Sequence, residues 1–265
     1  MKRITLATGF LHIFRALAPV LLMLAMAASP SRSTPQVSIG VSVGIPPPEL
    51  PVYEQPPIPG SGYIWMPGYW AYGPSGYYWV PGTWVLPPSV GLYWTPPWWG
   101  WSGSAYIFHG GYWGPSVGYY GGINYGFGYF GSGYEGGRWD HGRFFYNRDV
   151  NNIRDRRITN VYSGPAHQAP DNHVAFHGGV GGMPGEPNTQ ERTAAGARHW
   201  QPTAPQAQHF DAARSNPALL HTTNHGQPPI AATNRAGRFN NAGVVTGGHS
   251  QGPQHGGPQK GKNPG

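Results

Sequence analysis

Tyr63-Ile64-Trp65-Met66-Pro67-Gly68-Tyr69-Trp70 is followed 14 residues later by Tyr77-Tyr78-Trp79-Val80-Pro81-Gly82-Thr83-Trp84. Worn copies begin 15 and then 14 residues further on, as Leu92-Tyr93-Trp94-Thr95-Pro96-Pro97-Trp98-Trp99 and Tyr106-Ile107-Phe108-His109-Gly110-Gly111-Tyr112-Trp113. A fixed period means one supersecondary unit used repeatedly, so the stretch reads as an array. Gly73-Pro74-Ser75-Gly76 and Pro87-Pro88-Ser89-Val90-Gly91 separate the copies with turn chemistry. Each copy therefore supplies one strand and one turn, and the expected fold is mostly β: an antiparallel meander with strands near 63–72, 77–86, 92–101 and 105–114.

Trp65 and Trp70 are five residues apart, which in a regular strand sends them to opposite faces. Two readings of the inner Pro67-Gly68 and Pro81-Gly82 remain open. A bulge, with glycine at positive φ, brings both rings to one face. A type II turn makes small hairpins instead, but cuts the strands to three or four residues, so the bulged strand is preferred. In either case Trp65, Trp70, Trp79, Trp84, Trp94 and Trp99 form a cross-strand aromatic ladder, each good pair adding about 0.5–1.5 kcal/mol beyond its area. Trp113 and Gly111 continue the pattern in the fourth copy, and the aromatic-x-x-Gly-x-aromatic spacing returns around Tyr134, Trp139 and Phe144. An extension of the β domain to 146 fits this spacing.

Charge divides the chain sharply. No Asp, Glu, Lys or Arg lies between Glu54 and Glu135, and 29 of the 84 residues from Tyr63 to Tyr146 are aromatic. That is core enough for a small domain at 62–146 despite the scarcity of aliphatic residues. Before it, 28–61 is proline-rich and reads as an extended linker, with apolar alternation for one strand at 37–43. After it, 147–265 is rich in Gly, Pro, Asn, Gln, Ala and His, and its expected state is largely disordered. Two short helices are the exceptions: 189–200, with Asn188 and Glu191 as a capping box, and 205–214.

Lys2 and Arg3 precede an apolar stretch ending in Ala25-Met26-Ala27, the pattern of a signal peptide over 1–27. Arg15 interrupts the stretch, so it is short for a membrane span. Export is the expectation, to the periplasm, the outer-membrane surface or the outside. Loss of Lys2, Arg3 and Arg15 with the leader lowers the formal charge from +7 to +4. Cysteine is absent, which excludes disulfides, thiolate metal sites and a cysteine nucleophile.

The chain resembles the exported bacterial proteins with WXXGXW (YXWGXW) repeats, in Trp65-x-x-Gly68-x-Trp70 and Trp79-x-x-Gly82-x-Trp84. The resemblance covers about 46–150, with the Gly/Tyr run from Gly114 to Tyr129, and departs from the pattern at Pro97. It implies a signal peptide and an envelope or secreted location, and brings no catalytic residues with it.

Apparent chemical motifs fail on context. Gly126-Phe127-Gly128-Tyr129-Phe130-Gly131 matches G-x-G-x-x-G but opens no helix, and Gly256 to Lys262 imitates a P-loop without its Ser/Thr. His173/His177 and His221/His225 have helical metal-ligand spacing, but the glycines and prolines around them argue against helix, and no first shell is complete; no metal and no cofactor is assigned. His109 takes the place of Met66 and reads as structural. Asp140, His141 and Asp149 lack a nucleophile, so an enzyme is not expected.

Two function classes follow. The first is a structural or interaction protein of the envelope. The second is a carbohydrate or peptidoglycan binder stacking sugars on exposed rings of Trp65, Trp70, Trp79, Trp84, Trp94, Trp99, Trp113 and Trp139, with Tyr63, Tyr69, Tyr77 and Tyr93 beside them. The direction in which the rings point separates the two. The arginines at 138, 143, 148, 154, 156 and 157 interleave with aromatics, but Asp140, Asp149 and Asp155 halve their charge. An anionic envelope polymer suits them better than nucleic acid. Self-association through strand edges is a further expectation.

Overall fold

In the computed structural model, residues 41–165, 172–240 and 242–248 are described. The leader expected at 1–27, most of the strand expected at 37–43 and the P-loop-like Gly256 to Lys262 lie outside them. Among the described residues the chain is mostly β, with many short antiparallel strands and few short helices.

The copies pair two by two. In the first hairpin Ile64–Met66 and Tyr69–Gly73 run out, and Gly76–Val80 and Gly82–Val85 run back, turning at Pro74-Ser75. Trp65 faces Trp84 and Trp70 faces Trp79. The second hairpin repeats this with Tyr93–Thr95, Trp98–Trp101, Tyr106–His109 and Tyr112–Gly114, placing Trp94 opposite Trp113 and Trp99 opposite Phe108. A shift of 29 residues carries Trp65, Trp70, Trp79 and Trp84 onto Trp94, Trp99, Phe108 and Trp113. The hydroxyl of Tyr129 sits between equivalent carbonyls of the two hairpins, 2.8 Å from Trp94 O and 3.3 Å from Trp65 O.

Within the expected β class, the strand pairing differs from a meander. The second and third copies do not pair, because Leu86 is followed by Pro87-Pro88, which offer no N–H for a tight return. The edges they leave are filled from far along the chain. Ala232–Thr233 lies parallel to Gly82–Val85, Phe176–His177 lies parallel to Trp98–Trp101, and Ser42–Val43 pairs with Tyr106–His109. Trp113 and Trp200 exchange both backbone hydrogen bonds, at 2.9 and 2.8 Å. These contacts cover edges that would otherwise template self-association.

The inner Pro-Gly is neither a bulge nor a type II turn. From Met66↔Thr83, Pro67 and Gly68 on one strand are matched by Gly82 and Pro81 on the other, and pairing resumes at Tyr69↔Val80 with no residue left over. Both strands break together, and the two halves of the hairpin enter different sheets. Trp65 and Trp70 leave the ribbon on opposite faces by the period-two rule, and both faces are covered.

Gly68, Gly82 and Gly111 do not adopt positive φ. They are glycine because an indole from the opposite strand lies on them. A Cβ on Gly82 would stand 2.6 Å from Trp65 Cζ2, one on Gly111 2.5 Å from Trp94 Cζ2, and one on Gly68 closer still to Trp79. The first tryptophan of each copy thus covers the glycine of its partner copy. At the fourth such place the glycine is Pro97 and the ring that would cover it is Phe108, so the smaller ring accompanies the larger residue.

The described residues after 147 are built into the fold. Helix α1 (Thr189–Ala195) carries the expected capping box between Asn188 and Glu191, and α2 (Ala204–Arg214) one between Thr203 and Gln206. Composition predicted disorder for 147–265 because the segment has little core of its own; the structure corrects this for its described residues. It is ordered by groups the repeats leave open: Gly82 N–H donates to Ala231 O (3.0 Å), Trp79 Nε1 to Ala231 O (2.9 Å), and Trp113 Nε1 to Gln206 Oε1 (2.7 Å). Small residues, Ala213, Ala231 and Ala232 among them, are fully buried there. The proline-rich segment from 41 onward is likewise attached, with Tyr53 Oη accepting from Gly68 N–H at 3.1 Å.

Candidate functional site

Trp65, Trp70, Trp79, Trp84, Trp94, Trp99 and Trp113 are each 2% exposed or less. Their rings meet across the strands at centroid distances of 5.1 Å (Trp65–Trp84), 5.2 Å (Trp70–Trp79), 5.3 Å (Trp94–Trp113) and 5.0 Å (Trp99–Phe108). Backbone carbonyls take several of the indole N–H groups: Glu49 O for Trp70, Pro56 O for Trp84 and Trp70 O for Trp99, at 2.8–2.9 Å. Trp65 Nε1 and Trp94 Nε1, equivalent under the 29-residue shift, are buried without a hydrogen-bond partner. These rings show no face to solvent. Trp139 is half-buried, its Nε1 donating to Leu92 O at 3.0 Å. Tyr69 and Tyr77 are buried, and burial raises both hydroxyls well above their usual range.

A cleft of about 480 Å³ opens between the proline-rich segment and the first hairpin. Ile45 to Pro51 form one wall, and Tyr77, His173, His221 and His225 the other. Tyr77 Oη donates to Ile45 O at 2.8 Å, and Leu50 N–H to His173 O at 2.8 Å, fixing the wall. His221 meets the Trp70 ring edge-on at 5.4 Å, and burial, then the neighbouring His225, lower its pKa. It is therefore a neutral imidazole at pH 7, able to donate and accept. Contrary to expectation His221 and His225 do share a helical turn, α3 (His221–Asn224), with His225 as its left-handed cap at φ 50°. His173 and His177 are not on a helix. Among the described residues no group of three His, Asp or Glu side chains is placed to hold a metal.

His177 belongs to a second cluster. His109 stacks on Trp98 at 4.0 Å, and Tyr119 Oη lies 3.0 Å from His177 Nδ1. Burial and then His177 lower the pKa of His109, and burial raises Tyr119 to about 12. Asp140 and His141 pair at the exposed tip of the third hairpin, Gly137–Asp140 with Arg143–Asn147, while Asp149 Oδ2 accepts from Gly164 N–H, so the three do not converge.

Residues 60–85 match the family model of the WXXGXW repeat, in two copies. The chain carries WXXGXW repeats. No curated protein and no solved structure matches the chain. The matched WXXGXW copies are the two arms of the first hairpin, so the repeats pair two by two. The second hairpin is a further WXXGXW pair in geometry, with Pro97 and Phe108 in place of a motif Gly and Trp. The cleft was not visible in the pattern, because it gathers residues 45–51, 77, 173, 221 and 225 from segments with no common spacing.

Proposed function

We propose that the protein is an exported envelope protein with a structural or interaction role and no enzymatic activity, whose partner is an envelope polysaccharide or protein. The observation that carries this reading is the burial of the seven motif tryptophans. A motif made of core positions specifies a rigid body, and recognition falls to the surfaces built around it. No helix among the described residues is long and apolar enough to cross a membrane.

Acrylamide quenching of the full mature chain tests the reading. Seven of eleven tryptophans are buried, so most emission is protected until urea unfolds the chain. Quenching of the native chain as free as in urea contradicts it.

Carbohydrate binding is the second reading, and one observation favours it: Trp98, Trp101 and Trp139 are half-exposed. Pull-down on peptidoglycan and insoluble polysaccharides separates the two. Saturable binding lost in Trp98→Ala, Trp101→Ala or Trp139→Ala supports stacking, and binding indifferent to all three rejects it.

A further inference from the structure

Beyond the third hairpin, residues 148–161 fold around a groove of about 270 Å³ lined by Arg148, Arg154, Asp155 and Arg156 together with Ile153, Ile158 and Val161. The loop is held in place: Asn152 donates its backbone N–H to Gln55 Oε1 (2.9 Å) and its side-chain amide to Gln55 O (2.8 Å), and Gln55 is buried. Asn152 Oδ1 in turn accepts from Arg154 Nε at 3.2 Å.

The 148–161 segment carries two carboxylates, and both are engaged. Asp155 accepts Arg157 Nη2 at 2.7 Å, Arg157 Nε at 3.0 Å and the Arg157 backbone N–H at 2.9 Å. Asp149 Oδ2 turns to Gly164 N–H at 3.0 Å. No ion pair among the described residues involves Arg148, Arg154 or Arg156. Three exposed arginines thus line one groove with no ion-pair partner among the described residues, while its one carboxylate, Asp155, is taken by Arg157, and a net positive lining of this kind attracts an anion.

We propose that this groove binds a phosphate monoester carried on a sugar. Three guanidinium forks exceed the two oxygens of a carboxylate, whereas a phosphate monoester offers three terminal oxygens and a charge of about −1.5 to −2. Ile153 and Val161, half-buried in the lining, offer apolar surface to the C–H face of a sugar ring and add nothing for bare phosphate. The groove shares Ile158 with the core, and Ile153 and Val161 pack against that core, but its arginines touch none of the motif tryptophan pairs, so its test is separate from the quenching experiment.

The test is elution of the intact mature chain from phosphocellulose, carboxymethyl cellulose and unmodified cellulose, with Arg154→Gln/Arg156→Gln compared with Arg235→Gln/Arg238→Gln, a pair of exposed arginines elsewhere. The expected result is retention on phosphocellulose to higher salt than on the carboxymethyl matrix, competed better by glucose 6-phosphate than by inorganic phosphate. The groove pair should weaken phosphocellulose binding at least about tenfold and lower the salt slope by about two; the distant pair should do neither. Equal losses from the two pairs would reduce the effect to net charge and overturn the proposal. Equal competition by inorganic phosphate and the sugar phosphate would overturn the sugar component, and equal retention on all three matrices the anion site itself.

Discussion

The indole of Trp65 lies on Gly82, two residues before its cross-strand partner Trp84. Trp79 lies on Gly68, two residues before Trp70, in the reciprocal arrangement. The spacing Trp-x-x-Gly-x-Trp is therefore a statement about two copies at once. Each copy supplies a ring for the other's glycine and a partner for the other's ring.

Phe108 and Pro97 are expected to be coupled. Phe108→Trp alone should destabilise the fold by about 1–3 kcal/mol through overpacking. With Pro97→Gly added, the indole gains the floor it has in the first hairpin, and part of that loss is recovered. A double-mutant cycle by urea unfolding checks this, with a coupling of at least about 0.5 kcal/mol expected. Additive effects contradict the equivalence of the two hairpins.

His209 gives stability a specific acid limit. Its Nε2–H donates to Pro81 O at 2.8 Å and its Nδ1 accepts Gly237 N–H at 2.9 Å, and burial lowers its pKa from 6.5 to about 4. Between those values the unfolded chain binds a proton that the folded chain refuses. Stability is therefore lost as pH falls from 6.5 toward 4, by up to about 3 kcal/mol from this residue. Urea unfolding at pH 7 and pH 4.5 measures the drop, and His209→Gln should flatten the dependence while lowering stability at pH 7.

Removal of the chain from 204 onward should expose the edge of Gly82–Val85 and deprive Trp79 and Trp113 of their indole acceptors. Faster amide exchange in the first hairpin and concentration-dependent association are expected, read by hydrogen exchange and size-exclusion chromatography. A monomer with native protection would show that the later chain is dispensable.

The β class and the identity of the ring positions were legible because aromatic spacing survives even in the worn copies. The pairing of copies was not, since the edge partners Phe176–His177 and Ala232–Thr233 are too short to carry a pattern. Gly68 and Gly82 could be recognised as special, but glycine looks the same whether it supplies positive φ or a missing Cβ. Order in the later chain was hidden for a related reason. Ala231 and Trp200 act through their backbones, and Gln206 and His209 through buried hydrogen bonds, none of which hydropathy records. The cleft joins distant segments and had no local signal.

The most direct measurement compares the thermal unfolding of Gly82→Ala with that of Gly110→Ala. A Cβ at 82 meets Trp65 at 2.6 Å, whereas one at 110 meets nothing within 4 Å, and neither glycine has positive φ. Gly82→Ala should lose about 1–3 kcal/mol, and Gly110→Ala should stay within about 0.5 kcal/mol of the parent. Equal effects at the two sites would contradict the claim that the repeat's glycine exists to receive an indole.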